Sequence, residues 1–128
     1  MAVNETAEVS VSGEQMAIHT SRPDGADKSP AIIVIQEIFG VNNNIKSIAE
    51  RFANEGYFAA APEMFHRSGS GIDIPFSEME KAFAERGKLS GDNIEDDVQA
   101  TIDYLKNNPN VDASNIGIIG FCFGGMVS

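Results

Sequence analysis

Apolar runs of two kinds alternate along the chain, short β-branched stretches and stretches with helical spacing. Ala7–Val11 and Glu14–Thr20 read as two short strands around Ser12-Gly13, a tight hairpin turn. Ser21–Ser29, carrying Pro23, Asp24, Gly25 and Asp27, is polar and turn-rich, which predicts a surface connection. Ala31-Ile32-Ile33-Val34-Ile35 is apolar without alternation, as expected of a strand covered on both faces in a parallel sheet. After Gly40, residues Ile45, Ile48, Ala49 and Phe52 recur at helical spacing, with Asn42–Asn44 able to cap and Gly56 ending the helix. Tyr57–Ala61 returns to strand and Pro62 stops it.

Glu63–Ile74 is a Gly/Ser-rich loop. Ser77-x-x-Glu80 has the form of a capping box and predicts a helix that packs Met79, Ala82 and Phe83. Asp92 with Glu95 opens another, with Ile94, Val98, Ile102 and Leu105 on one face and a break at Asn108-Pro109. Ile116–Phe121 is a second buried strand. Strands alternating with amphipathic helices predict a single α/β domain, a mostly parallel sheet flanked by helices. Sites in such sheets gather at the carboxyl ends of strands, which selects Gln36–Val41, Glu63–Ile74 and Cys122–Gly125.

Composition narrows the chemistry. The 128 residues hold nine Lys and Arg against 19 Asp and Glu, a net charge of -10 that opposes nucleic-acid phosphates and anionic lipid. No apolar run approaches the ~18 residues of a membrane span. Met1-Ala2-Val3-Asn4-Glu5 lacks the basic and apolar regions of a signal peptide, so the cytoplasm is the expected location. One cysteine excludes a disulfide framework and a cysteine zinc cluster. Two histidines and no ligand spacing leave no metal or cofactor expected.

The strongest chemical signal is Gly120-Phe121-Cys122-Phe123-Gly124-Gly125, directly after Ile116–Ile119. This is the G-x-Nuc-x-G spacing of a nucleophile elbow with cysteine as nucleophile. Side chains two before and two after the nucleophile would collide at so sharp a turn, and glycine at 120 and 124 removes them. The turn lifts the sulfur to the amino end of the next helix, where dipole and amides favour thiolate and a developing oxyanion. The competing readings are a buried structural cysteine and a phosphate-cradling loop. The second lacks both glycine fingerprints of such loops.

Ile32–Gly40 (IIVIQEIFG), Pro62–Arg67 (PEMFHR) and Ile116–Gly125 (IGIIGFCFGG) together resemble the dienelactone hydrolase family of α/β-hydrolases, in order and approximate spacing. The resemblance covers essentially the whole chain but only the amino-terminal half of a family member. It implies an α/β-hydrolase fold with its carboxyl-terminal half absent, and opening of an enol-lactone through an acyl-thioester that water then hydrolyses. Residue by residue, Cys122 matches the nucleophile and Glu37 the glutamate that contacts the resting thiol. Ile38 and Phe123 match the two backbone donors of the oxyanion hole, and Arg67 matches an arginine that binds the substrate carboxylate.

Read without the family, these residues carry uneven weight. Glu37 ends an apolar strand, where burial would raise its pKa and suit proton exchange with a thiol; the alternative is a glutamate that caps or solvates the turn. Arg67 lies in a loop and could clamp an anion, which a chain of net charge -10 would otherwise repel. His19, in the second early strand, reads as solvent-facing, and His66 as a remote substitute base, because the triad's acid and histidine follow the nucleophile in α/β-hydrolases. Glu78/Glu80 and Glu95/Asp96/Asp97 read as helix-start carboxylates, structural or solvated. Met16, Met64 and Met79 read as packing residues.

Only Phe123–Ser128 follow Cys122, less than two helical turns, where isolated helices below ~12–15 residues are marginal. The expectation is a single domain over 1–128, truncated shortly after the elbow by a partial gene or a cleavage, and impaired in turnover. An open edge at Ile116–Phe121 would invite self-association or a complementary fragment. The expected partner is a small anionic ester or lactone; the alternative is a non-catalytic α/β binding module.

Overall fold

Ser12 and Gly13 both take left-handed backbone angles, φ 51° and 85°. Two-residue hairpin loops need that pair because its twist matches the flanking strands. It joins β1 (Ala2–Val11) to β2 (Glu14–Pro23) in antiparallel register, Val11 opposite Glu14 and Ala2 opposite Pro23. The computed structural model describes residues 2–25, 28–36, 38–69 and 71–120. Both strands outrun their apolar pattern, because polar partners meet across them. Ser21 Oγ donates to Asn4 Oδ1 at 2.6 Å, and Arg22 Nε donates to Glu5 Oε1 at 3.1 Å.

Then follow β3 (Ser29–Ile35), α1 (Asn43–Asn54), β4 (Phe58–Pro62), α2 (Met79–Gly87), α3 (Gly91–Lys106) and β5 (Val111–Gly120). The described strands form one sheet in the order β1-β2-β4-β3-β5. The sheet is mixed rather than mostly parallel: β3 is parallel to β4 and to β5, but β2 is antiparallel to β1 and to β4. Local sequence marks a strand without naming its neighbours. Here the opening hairpin lies against β4 and supplies both antiparallel pairings.

Strand alternation sends side chains to opposite faces. Ala31, Ile33, Ile35, Phe58 and Ala60 join Met16, Ile18 and Leu105 of α3 in one core. Val34, Ala59 and Ala61 join Ile45 and Ala49 of α1 in another. The continuous apolar run of β3 is thus explained by helices on both faces. β5 begins earlier than its apolar pattern because Val111 and Asp112 pair with Ser29 and Pro30 before a bulge; Ala31 then pairs with Ile116.

The helix starts differ in part from the sequence reading. Asn42 caps α1 as expected, its side chain accepting from Ile45 N at 3.1 Å. For α3 the cap is Ser90, which accepts from Asn93 N at 3.1 Å, rather than the Asp92/Glu95 pair. No capping box opens α2. Ser77 lies inside a turn closed by Glu78 N donating to Pro75 O at 2.9 Å, and Glu78 takes the cap position without a side-chain bond. Of the three residues expected to pack α2, only Ala82 is buried, whereas Met79 and Phe83 are exposed. Met16 and Met64 are fully buried.

Candidate active site

Ile35 and Gly120 are register partners at the carboxyl ends of β3 and β5. β3 and β5 therefore end side by side, with the Gln36–Val41 loop after β3, and the Glu63–Ile74 loop leaves β4 on the other side of β3. Gln36 is fully buried, and its Oε1 accepts from Met64 N at 2.7 Å, which ties the first loop to the third. Ile38 follows, buried in a third apolar cluster with Phe39, Met64, Phe65, Ile74, Ala82 and Leu89. α2 and α3 thereby hold these loops from above, with Ile94 and Val98 of α3 packed against the cluster.

Backbone contacts fix the end of the first loop. Ile74 N donates to Phe39 O at 2.9 Å, and Gly40 forms an isolated antiparallel bridge with Asp73. Gly40 has φ 97°, and a Cβ there would collide with the Ile72 carbonyl oxygen, so the crossing demands glycine. Phe39 and Phe76 meet edge to face with ring centroids 4.6 Å apart.

Two histidine–carboxylate pairs frame the β4 loop. His19 Nε2 lies 2.6 Å from Glu63 Oε2, and Glu63 Oε1 accepts from Gly71 N at 2.9 Å. His19 is therefore not solvent-facing: Glu63, nearly buried, covers it because β2 pairs His19 with Ala61, two residues away on the same face. The second pair is His66 Nε2 to Asp97 Oδ1 at 2.9 Å. Arg67 adds a fork to the same carboxylate, Nη1 to Oδ2 at 2.9 Å and Nη2 to Oδ1 at 3.0 Å. Asp97 is 0% exposed, so it is not a solvated helix-start charge. It sits in the second turn of α3, facing the loop, where two cationic or polar donors satisfy it. An ionised carboxylate only accepts, so His66 Nε2 carries its hydrogen toward Asp97. With its side chain 1% exposed, His66 is sealed against α3.

Ser68 continues this loop. Its hydroxyl, and after it Lys88, hold the Glu85 carboxyl of α2 below its ordinary value. Cys122, Glu37 and Phe123 lie outside the described residues. Among the described residues no group of three or more His, Cys, Asp or Glu side chains is placed to hold a metal ion. No helix among them is long and apolar enough to cross a membrane.

The sequence profile of the Dienelactone hydrolase family matches residues 16–128. This chain belongs to that family. A Synechocystis sp. protein provisionally named a carboxymethylenebutenolidase is 39% identical over 115 residues, covering 88% of this chain and 47% of the relative. The carboxymethylenebutenolidase of a Pseudomonas sp. is 32% identical over 120 residues, covering 91% of this chain and 49% of its own. The crystal structure of a provisionally named dienelactone hydrolase from Klebsiella pneumoniae superposes with TM-score 0.86 at 31% identity, over 98% of this chain and 52% of that one. The chain thus has the α/β-hydrolase fold of its dienelactone hydrolase neighbours and spans about half the length of the relatives it matches.

Within that family frame, residue-level reading missed Gln36, Glu63, Gly40 and Asp97 as architects of the site. Gln36 and Gly40 stand in the quoted QEIFG block and Glu63 in PEMFHR, so the motifs held the signal although no role could be read from them. Asp97 had no local signal beyond an acidic run.

Proposed function

We propose that this chain forms part of a carboxylic ester hydrolase that opens an enol-lactone or related small ester through an acyl-thioester on Cys122. The observation that supports this most is the register of Ile35 with Gly120, which sets side by side the ends of β3 and β5, the two strands that precede Glu37-Ile38 and Cys122-Phe123 in the sequence. In this reading Glu37 contacts the resting thiol and assists thiolate formation. The thiolate adds to the lactone carbonyl, and the amides of Ile38 and Phe123 donate to the oxyanion. Collapse expels the enolate and leaves the acyl-enzyme, which water hydrolyses to regenerate the thiol.

Arg67 takes the substrate carboxylate in this reading. Two of the donors of its guanidinium are committed to Asp97, which cancels much of its net charge. Its side chain remains 22% exposed, so it would recognise an anion through its remaining N–H groups, in a fixed orientation, rather than as a free cation.

Intact mass after exposure to an activated ester should show one acyl adduct that Cys122→Ala abolishes. Turnover of an enol-lactone should fall to background in the same variant. Equal turnover by wild type and Cys122→Ala would remove the catalytic reading and leave an α/β binding module. An unchanged KM for an anionic lactone in Arg67→Ala would remove the clamp role.

A further inference from the structure

Thr6 of β1, His19 of β2 and Glu63, the first residue after β4, form a chain of side-chain contacts along one side of the sheet. Thr6 is the register partner of His19, with Oγ1 3.4 Å from Nδ1, and His19 Nε2 meets Glu63 Oε2 at 2.6 Å. The second Glu63 oxygen accepts from Gly71 N at 2.9 Å. From Gly71 the chain runs directly into the segment that touches the first loop. Ile72 O lies against Gly40, Asp73 bridges to Gly40, and Ile74 N donates to Phe39 O. Gly71 itself has φ 70°, and a side chain added there would meet no neighbour.

We propose that Glu63 is a positioning residue for the backbone at Ile38, an inference that rests on the oxyanion-hole reading above. Its carboxylate anchors Gly71, which presses segment 71–74 onto Phe39-Gly40 and so sets the aim of the amide one residue earlier. His19 satisfies the other oxygen and prevents Glu63 from turning away to water. A donor amide is effective only when it already points where the oxyanion will develop, and a misplacement of about 1 Å costs about a hundredfold. Glu63 does its work through acceptor geometry rather than negative charge. A glutamine keeps a carbonyl oxygen for Gly71 N and offers its amide to the other tautomer of His19.

The test uses the intact gene product, an enol-lactone substrate, and amide hydrogen exchange read without substrate. Glu63→Leu keeps the bulk and removes both acceptors. It should lower kcat about tenfold or more with KM within about threefold, and speed exchange at Gly71 and Ile74 while Ile33 in the sheet stays protected. Glu63→Gln should restore both readouts. Glu63→Asp, one methylene short of Gly71, should show the same changes in smaller measure and serves if the leucine variant does not fold. Wild-type kcat in Glu63→Leu, or equal losses in Glu63→Gln and Glu63→Leu, overturns the proposal. Turnover that survives Cys122→Ala sinks the hydrolase reading alone, because exchange at Gly71 and Ile74 still decides whether Glu63 holds the segment.

Discussion

Arg67 and Asp97 meet in a two-point fork, with both carboxylate oxygens of a fully buried aspartate held by one guanidinium at 2.9 and 3.0 Å. The pair staples the loop after β4 to the inner face of α3, thirty residues away in sequence. His66 completes it from the adjacent position. One carboxylate therefore sets the course of two successive loop residues, one of them in the proposed substrate site.

Asp97→Ala should be costly. It strands a buried imidazole and a partly buried guanidinium that have lost their shared acceptor, and removing one partner of a buried ion pair costs ~3–5 kcal/mol. Urea unfolding measures the loss. A cost below about 1 kcal/mol would mean that the fork contributes no more than a surface ion pair.

Gly40→Ala should destabilise far more than Gly13→Ala, although both glycines have positive φ. An added Cβ at Gly13 meets nothing, so its cost is that of a side chain in the left-handed region, roughly 1–2 kcal/mol. At Gly40 the Cβ runs into Ile72 O, and relieving the clash separates the two loops. Parallel thermal unfolding of the two variants, with equal losses, would contradict the close crossing.

Acid should expose the Ser68–Glu85 contact between the β4 loop and α2. The folded pKa of Glu85 lies below its ordinary value, so the unfolded chain takes up that proton first as pH falls. The stabilisation is present above the unfolded value and is lost as pH drops through the folded one. Ser68→Ala removes the largest cause of the shift. The Tm gap between wild type and variant should therefore be widest near neutrality and close as pH falls through the lowered folded value of Glu85; a constant gap would refute the contact.

Much of the site's framework was legible in order along the chain. β3 was readable because an uninterrupted β-branched run has few alternatives, and α1 because an asparagine cap and a closing glycine bracket a clear apolar stripe. α2 was misread in its start and its packing because Ser77-x-x-Glu80 satisfies a spacing rule, while the turn from Pro75 to Glu78 uses the backbone in another way. Its exposed Met79 and Phe83 are apolar for a reason that local spacing does not reveal.

By itself the sequence determined the alternation of strands and helices, the hairpin at Ser12-Gly13, and the motif blocks that mark the family, because periodicity and turn chemistry act over a few neighbouring residues. Only the tertiary structure decided that the sheet is mixed, that Asp97 is buried and serves Arg67 and His66, and that Glu63 joins His19 to Gly71. Those pairings span 30 and more positions, except the short reach from Glu63 to Gly71. A charged side chain takes its meaning from which distant donors replace its water, and that is set when the strands find their neighbours.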